Sequence, residues 1–258
     1  MVDEIKATVQ REFGANAATY VTSATHAKGA SLERLVALTV PQPEWAVLDI
    51  ATGAGHTAFL FAPHVRQVWA TDITPEMLEQ VRQQVSTRST GNVTVEIADA
   101  EQLPYSDSRF DLVTCRIAPH HFAAPERFVA EAARVLKPGG LLAVVDNIVP
   151  HGVAGDYVNA FEKLRDPSHV RCLSMEEWQA LFADASLDAE HAETLSKRVE
   201  FPTWAARHNA NMQRYLLALL QQATGEAADY LQPHLNESPV TFRLWEGLLV
   251  GRRSQPRA

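Results

Sequence analysis

The sequence predicts an α/β fold in which a mostly parallel sheet carries helices on both faces. Two observations predict it. Short apolar runs, each the length of a buried strand, alternate with segments of helical spacing between residues 46 and 145. The first run, Ala46-Val47-Leu48-Asp49-Ile50, leads into the glycine-rich turn Ala51-Thr52-Gly53-Ala54-Gly55, and the next two close on the carboxylates Asp72 and Asp99. Strands joined through helix-length crossovers lie parallel, and right-handed connections place the helices on both faces.

Residues 1–40 read as helix. Phe13, Ala17, Tyr20 and Val21 recur at helical spacing, and Leu32, Leu35, Val36 and Val40 form a second stripe ending at Pro41. After the first strand, His56 to Pro63 reads as helix and Gln67 to Thr71 as a second strand ending at Asp72. Thr74 is the expected N-cap of the following helix, with Pro75 at the first helical position. Val93 to Ala98 and Phe110 to Arg116 are the third and fourth strands. Pro125 to Leu136 is a helix with Phe128, Val129, Ala132, Val135 and Leu136 on one side, and Lys137-Pro138-Gly139-Gly140 stops it. Leu141 to Val145 is the fifth strand.

Beyond Pro150 the pattern loosens. Tyr157 to Arg165 and Ser174 to Ala185 are helical, the second opened by the capping-box pair Ser174 and Glu177. A sixth strand falls within Ala189 to Phe201, Trp204 to Tyr230 is mostly helical, and Val240 to Arg252 forms a last strand. The sequence carries no repeat and no linker, so it reads as one domain over 1–258. Residues 1–40 form a helical cover, 45–150 a ligand-binding core, and 151–258 cap helices and the last strands.

Composition narrows the function. A chain of 258 residues with 46% hydrophobic and 21% charged residues can build a full core, which excludes disorder as its main state. Against 23 Lys and Arg stand 31 Asp and Glu, so the formal charge is −8 and a nucleic-acid partner is not expected. Cys115 and Cys172 have no metal or redox spacing, and the N-terminus lacks the apolar stretch of a signal peptide. The longest apolar run, Tyr215 to Leu220, is far short of a membrane span. A cytoplasmic protein acting on a small molecule is expected.

The chemistry concentrates at the strand ends. Glycines at Gly53 and Gly55 permit a tight turn and close approach of a ligand to backbone N–H groups. Asp72, nineteen residues beyond Gly53, suits the two hydroxyls of a ribose. Gly53-x-Gly55-x-x-Ala58 also fits the dinucleotide fingerprint, so the glycines alone do not choose between nicotinamide and another adenosine cofactor. The next strand tip favours the second reading. Asp99 can accept from an adenine amino group, and the Ala100 N–H can donate to a ring nitrogen.

At these residues the sequence resembles the class I S-adenosylmethionine-dependent methyltransferases. Within them it is similar to the small-molecule, type 11 group related to the ubiquinone and menaquinone biosynthesis methyltransferases. Val47 to Asp49 with the glycine turn, Asp72 with Met77, Asp99-Ala100, and Arg134-Val135-Leu136-Lys137-Pro138-Gly139-Gly140 match in order and spacing. The likeness covers residues 13–150 well and the rest weakly. It implies a Rossmann-like sheet of seven strands with the last antiparallel, and S-adenosylmethionine as cofactor with S-adenosylhomocysteine as product. It implies that Ala51, Gly53 and Gly55 meet the methionine part, Asp72 the ribose, Ile73 and Met77 the faces of the adenine, and Asp99 and Ala100 its edge. Phe13-Gly14-x-x-Ala17-x-x-Tyr20-x-x-Ser23-x-x-His26 resembles the segment that closes over the cofactor, which adds Tyr20 and His26 to the site; Arg116 is placed there too. Residues 1–45 do not reproduce the quinone enzymes' own N-terminal signature.

The loop Arg116-Ile117-Ala118-Pro119-His120-His121-Phe122 follows the fourth strand and runs, by the resemblance, beside the transferable methyl. A histidine there can take a proton from an O, N or C nucleophile. Adjacent loop residues seldom point the same way, so one histidine is expected to face the crevice and the other to anchor the loop; the resemblance implies that His121 is the one facing it, with His120 left to anchor. Arg165 and Arg171, flanking Asp166-Pro167-Ser168-His169, suit an acidic acceptor. The other histidines are scattered without ligand spacing, and no metal is expected. The sequence thus reads as a methyltransferase acting on a small organic acceptor. A nicotinamide-dependent oxidoreductase and a noncatalytic S-adenosyl-ligand-binding protein are the alternatives.

Overall fold

The computed structural model describes residues 2–21 and 29–255. One sheet holds β1 (Ala46–Ile50), β2 (Gln67–Asp72), β3 (Val93–Ile97), β4 (Phe110–Arg116), β5 (Leu136–Asn147), β6 (Leu187–Glu200) and β7 (Thr241–Arg253) in the order β3-β2-β1-β4-β5-β7-β6. β1 pairs in parallel with β2 and β4, β2 with β3, and β4 with β5. β7 runs antiparallel to both β5 and β6, so it alone is reversed. The chain winds outward from β1 to β3 and then returns to β4. The crevice at the carboxyl ends of β1 and β4 is therefore the topological switch point, where open α/β sheets bind ligands.

Every residue of β1 is buried, as befits a central strand covered on both faces. On one face Leu48, Ile50, Val113 and Val144 pack with Phe128 of α5 (Pro125–Val135) and Trp178 of α7 (Met175–Asp184). On the other, Val47, Val68, Leu112 and Val145 meet Leu35 of α2 (Ala30–Thr39), Phe61 of α3 (His56–Phe61) and Val81 of α4 (Pro75–Arg88). A third cluster joins α6 (Val153–Arg165), α8 (Phe201–Trp204), α9 (Ala210–Gln222) and α10 (Gly225–Leu231) to the start of β7. Its centre is Phe161 stacked on Trp204 at 4.7 Å, with Phe242 edge-on to both rings.

Several boundaries differ from the sequence reading. The described residues of the N-terminal segment form α1 (Val2–Val21) and α2, and Val40 is not on the apolar stripe. It caps α2 in the left-handed region at φ 45° and is 62% exposed. β5 begins at Leu136, because Lys137 to Gly140 bulges within the strand instead of separating it from α5: Phe110 pairs with Leu136, and Leu112 already pairs with Leu141. The helical stretch after Trp204 is broken between α8 and α9 and again before α10. Thr74 holds the N-cap position of α4 without a side-chain cap bond. The Ser174–Glu177 capping box is present in both directions.

Candidate active site

The first turn is built from left-handed residues. Ala51, Gly53 and Gly55 have φ of 51°, 54° and 85°. The two glycines are there for different reasons. A Cβ added at Gly53 would meet nothing within 4 Å, so the backbone faces open space and the left-handed φ selects glycine. A Cβ at Gly55 would sit 2.8 Å from the Phe59 ring, so this glycine lets α3 pack on the turn. Asp49 fixes the turn from below, accepting from Thr52 Oγ1 at 2.5 Å and from Thr114 Oγ1 at 2.7 Å. Burial pushes its carboxyl up to about 6, against the pull of those hydroxyl bonds.

The neighbouring tips carry the expected carboxylates. Asp72 accepts from the Gly53 N–H at 3.0 Å and the Thr74 N–H at 2.9 Å, tying the turn of β1 to the end of β2. Burial raises its pKa, and those backbone bonds oppose the rise. Asp99 accepts from the Glu101 N–H at 2.9 Å and pairs with Lys6 Nζ at 2.6 Å. Lys6 also reaches Glu101 at 2.8 Å. Glu101 in turn accepts from the N–H groups of Ala123 and Ala124, which holds the loop after β4 against the end of β3.

These groups surround a cavity with about 1010 Å³ of empty space, its open mouth included. Of the residues assigned to the cofactor by the sequence, Ala51, Gly53, Asp72, Ile73, Met77, Asp99, Ala100 and Arg116 line it. Gly55 does not, and His26 lies outside the described residues. Helix α1 lies across the mouth, contributing Lys6, Val9, Phe13 and Tyr20 from one face. Two further bonds hold it there: Gln10 Nε2 donates to Ile73 O at 2.8 Å, and His56 Nε2 meets Tyr20 O at 3.0 Å.

A second, wider cavity adjoins the first, with about 1950 Å³ of empty space including its opening. Phe13, Tyr20, Ile117 and His121 line both and stand between them, with the Phe13 ring edge-on to His121 at 4.9 Å. His120 lines the second cavity alone. Both histidines therefore face the crevice, and the expected division into one facing residue and one anchor does not occur. Backbone bonds anchor the loop instead, with the Val170 and Arg171 N–H groups donating to His120 O at 2.8 and 3.1 Å.

The two imidazoles differ in chemistry. His120 Nδ1 donates to Asp146 Oδ1 at 2.6 Å, at the carboxyl end of β5, leaving Nε2 as the basic atom. Burial alone would lower its pKa; the Asp146 carboxylate more than reverses this, and His120 stands above the ordinary histidine value. His121 Nδ1 faces Ser168 O at 3.0 Å and so carries that ring's proton. Burial and the neighbouring His120 hold its pKa well below the usual value, so His121 stays neutral. Of the two, His120 is the better base.

Three residues of the site went unnoticed in the sequence: Lys6, Asp146 and Glu162. Lys6 sits seven residues before Phe13 and fourteen before Tyr20, on the same helical face. Asp146 closes an apolar strand, the same signal that marked Asp72. Glu162 had no signal, since its place depends on how α6 docks. Arg171, expected near the acceptor, pairs with Glu177 at 2.6 Å outside the cavity wall. Among the described residues no His, Cys, Asp and Glu group can hold a metal, and no helix is long and apolar enough to cross a membrane.

A seven-stranded sheet with its last strand reversed, and acid-tipped strands around a crevice, define a Rossmann-like class I methyltransferase fold. The methyltransferase-domain family model matches residues 48–144, from β1 into β5. The methyltransferase YcgJ of Bacillus subtilis, itself uncharacterized, is 35% identical over 249 residues, spanning 95% of this chain and 98% of its own. A methyltransferase structure from Bacillus halodurans superposes with a TM-score of 0.83 at 34% identity, covering 88% of this chain and all of that one. The ubiquinone/menaquinone C-methyltransferase UbiE of Cupriavidus taiwanensis is 40% identical over 109 residues, covering 41% of this chain and 44% of its own. This chain belongs to the class I methyltransferase family.

Proposed function

We propose that the protein moves the methyl of S-adenosylmethionine to a small organic acceptor in the cytoplasm, with His120 as general base. The observation that carries the reading is the pair of joined cavities: carboxylate-tipped strands surround one, and the Asp146-backed His120 lines the other. Family membership favours the S-adenosyl ligand over a nicotinamide dinucleotide.

The residues of the first cavity fit that ligand. Gly53 leaves its backbone open to the cavity, and each Asp72 oxygen spends one lone pair on a backbone N–H and keeps another for a ribose hydroxyl. Ile73, Met77 and Ala100 supply apolar walls for a flat ring, with Asp99 at its edge and Arg116 as the cation at the far end. S-adenosylmethionine supplies an electrophilic methyl on a sulfonium sulfur. The chain aligns the acceptor with it across the boundary that Phe13, Tyr20, Ile117 and His121 share, and His120 Nε2 receives the acceptor's proton.

Calorimetry with S-adenosylhomocysteine tests this. Binding at micromolar strength is expected, roughly −8 kcal/mol. Asp72→Ala should lose about 1.5–3 kcal/mol, the range for hydrogen bonds to a charged group. No binding by the wild type, or an unchanged affinity in the variant, overturns the reading.

A further inference from the structure

Resting on the methyltransferase reading, we propose that the methyl acceptor is an amine, held in the second cavity by the carboxylate of Glu162 beside His120. The polar groups that this wall leaves open are chiefly hydrogen-bond acceptors. Glu162, on α6, is only 8% exposed, and its carboxylate makes no hydrogen bond among the described residues. Its ion pair with Arg165 spans 3.8 Å. Burial raises its pKa, with Arg165 and His120 only partly opposing, as expected of a carboxylate short of a counter-ion. His120 and His121 add two Nε2 lone pairs, since each ring's Nδ1 proton is already committed. Asn147 Oδ1, in the same wall, is buried and unpartnered.

The cations of the wall are engaged by the protein. Lys197 pairs with Glu246 at 2.8 Å, and Arg207 with Asp166 at 3.1 Å. Arg165 donates to Trp204 O, and Arg198 to Gln232 O and Thr241 Oγ1. An acidic acceptor that reached Glu162 would meet a buried carboxylate whose own cation, Arg165, stands at 3.8 Å. An ammonium would gain a buried carboxylate in a wall that also holds the aromatic residues Phe13 and Tyr20. The buried, unpartnered donor in this wall is Trp204 Nε1, which leaves a place for one oxygen on the ligand.

The chemistry is consistent with that choice. The bound ammonium first passes one N–H proton to His120 Nε2, whose new charge Asp146 balances. The lone pair so freed forms the new N–C bond while the C–S bond breaks and its electron pair stays on sulfur, and the product leaves as the methylated ammonium. Positive charge growing on nitrogen lies against Glu162, a preplaced electrostatic partner.

Three probes with a common apolar body test the proposal: 2-phenylethylamine, 2-phenylethanol and 3-phenylpropionate. Each is titrated by calorimetry into protein saturated with S-adenosylhomocysteine. The amine should bind at least tenfold more tightly than either of the others. Glu162→Gln should remove that preference and leave the alcohol's affinity unchanged, and Glu162→Asp should keep part of it. Thermal unfolding of each variant establishes that it is folded, and the ranking of the probes on the wild type stands whether or not the variants fold. Equal binding of the alcohol or the carboxylate, binding of none of the three, or an unchanged amine affinity in folded Glu162→Gln overturns the proposal. Failure to saturate with S-adenosylhomocysteine removes the methyltransferase reading itself. Saturation followed by the wrong ranking removes only the amine.

Discussion

At the scale of single residues, the site turns on the bond between His120 and Asp146. A general base works only when unprotonated, so kcat/KM should rise with pH through the His120 pKa, which lies above the ordinary 6.5. Asp146→Asn removes the charge that raises it. The rising limb should then move to lower pH while kcat falls, and a pH–rate profile with the limb unmoved would exclude the pair as the working base. His120→Ala should lower kcat by about 10²–10⁴ and leave S-adenosylhomocysteine affinity nearly untouched, since His120 does not line the cavity proposed for the adenosyl ligand. Asp72, Asp99 and the two histidines were legible in the sequence because each stands just beyond a strand end, where position alone says what it faces. Asp146 met the same criterion, but its partner comes from the neighbouring strand's loop. That contact follows from the sheet order, which no local pattern encodes. Glu162 is further from view still: its meaning lies in what does not touch it.

At the scale of elements, α1 decides access. It is held over the first cavity by a few polar contacts: Lys6 on Asp99 and Glu101, Gln10 on Ile73 O, and Tyr20 O on His56. The Lys6–Asp99 pair is partly exposed, with side-chain exposures of 22% and 29%, so it contributes under about 1 kcal/mol; the Glu101 carboxylate of the second pair is buried. A helix held this lightly opens locally well before the sheet does. Amides of α1 should exchange quickly in the free protein and slow several-fold with S-adenosylhomocysteine bound. Lys6→Met should speed exchange in the free protein. Equal protection with and without ligand would identify α1 as a permanent part of the core. The helices themselves were readable from apolar spacing, but their breaks were not. Val40 fits the stripe of α2, yet the chain must turn toward Pro41 there, and a left-handed cap takes the place of another helical turn. Pro138 and Gly139 look like a stop between α5 and β5, and tertiary pairing with β4 absorbs them as a bulge.

At the scale of the whole molecule, the parallel core was legible because its strands are buried on both faces and read as unbroken apolar runs. β6 is an edge strand whose residues beyond Leu187 are intermediate or exposed, so it carries no such run, and the sequence reading places it only as falling within Ala189 to Phe201. Folding stability has one built-in pH term at the centre of this core. Asp49 is 1% exposed and titrates near 6 in the folded chain, against an ordinary 3.8 when unfolded. Between those values the folded state binds the extra proton, so this group's contribution to stability falls as pH rises through the window. The loss is roughly 2–3 kcal/mol. Asp49→Asn should flatten the wild-type stability curve between pH 4 and 6 by about that amount in urea titrations, and parallel curves would mean the carboxylate is ionised throughout. The reversed direction of β7 has a consequence of another kind. Because β6 and β7 run opposite ways, Glu200 and Thr241 face each other at the rung where the chain leaves the sheet and comes back. Residues 201–240, which carry Trp204 and Arg207 into the second cavity, thus form a detour with a shared gate, outside the register of the strands whose ends line the first cavity. Lengthening such a detour adds closure entropy only logarithmically. What enters that gate can be rewritten by mutation while the sheet's wiring stays as it is, so a lineage built on this frame can change its choice of molecule without relearning how to fold.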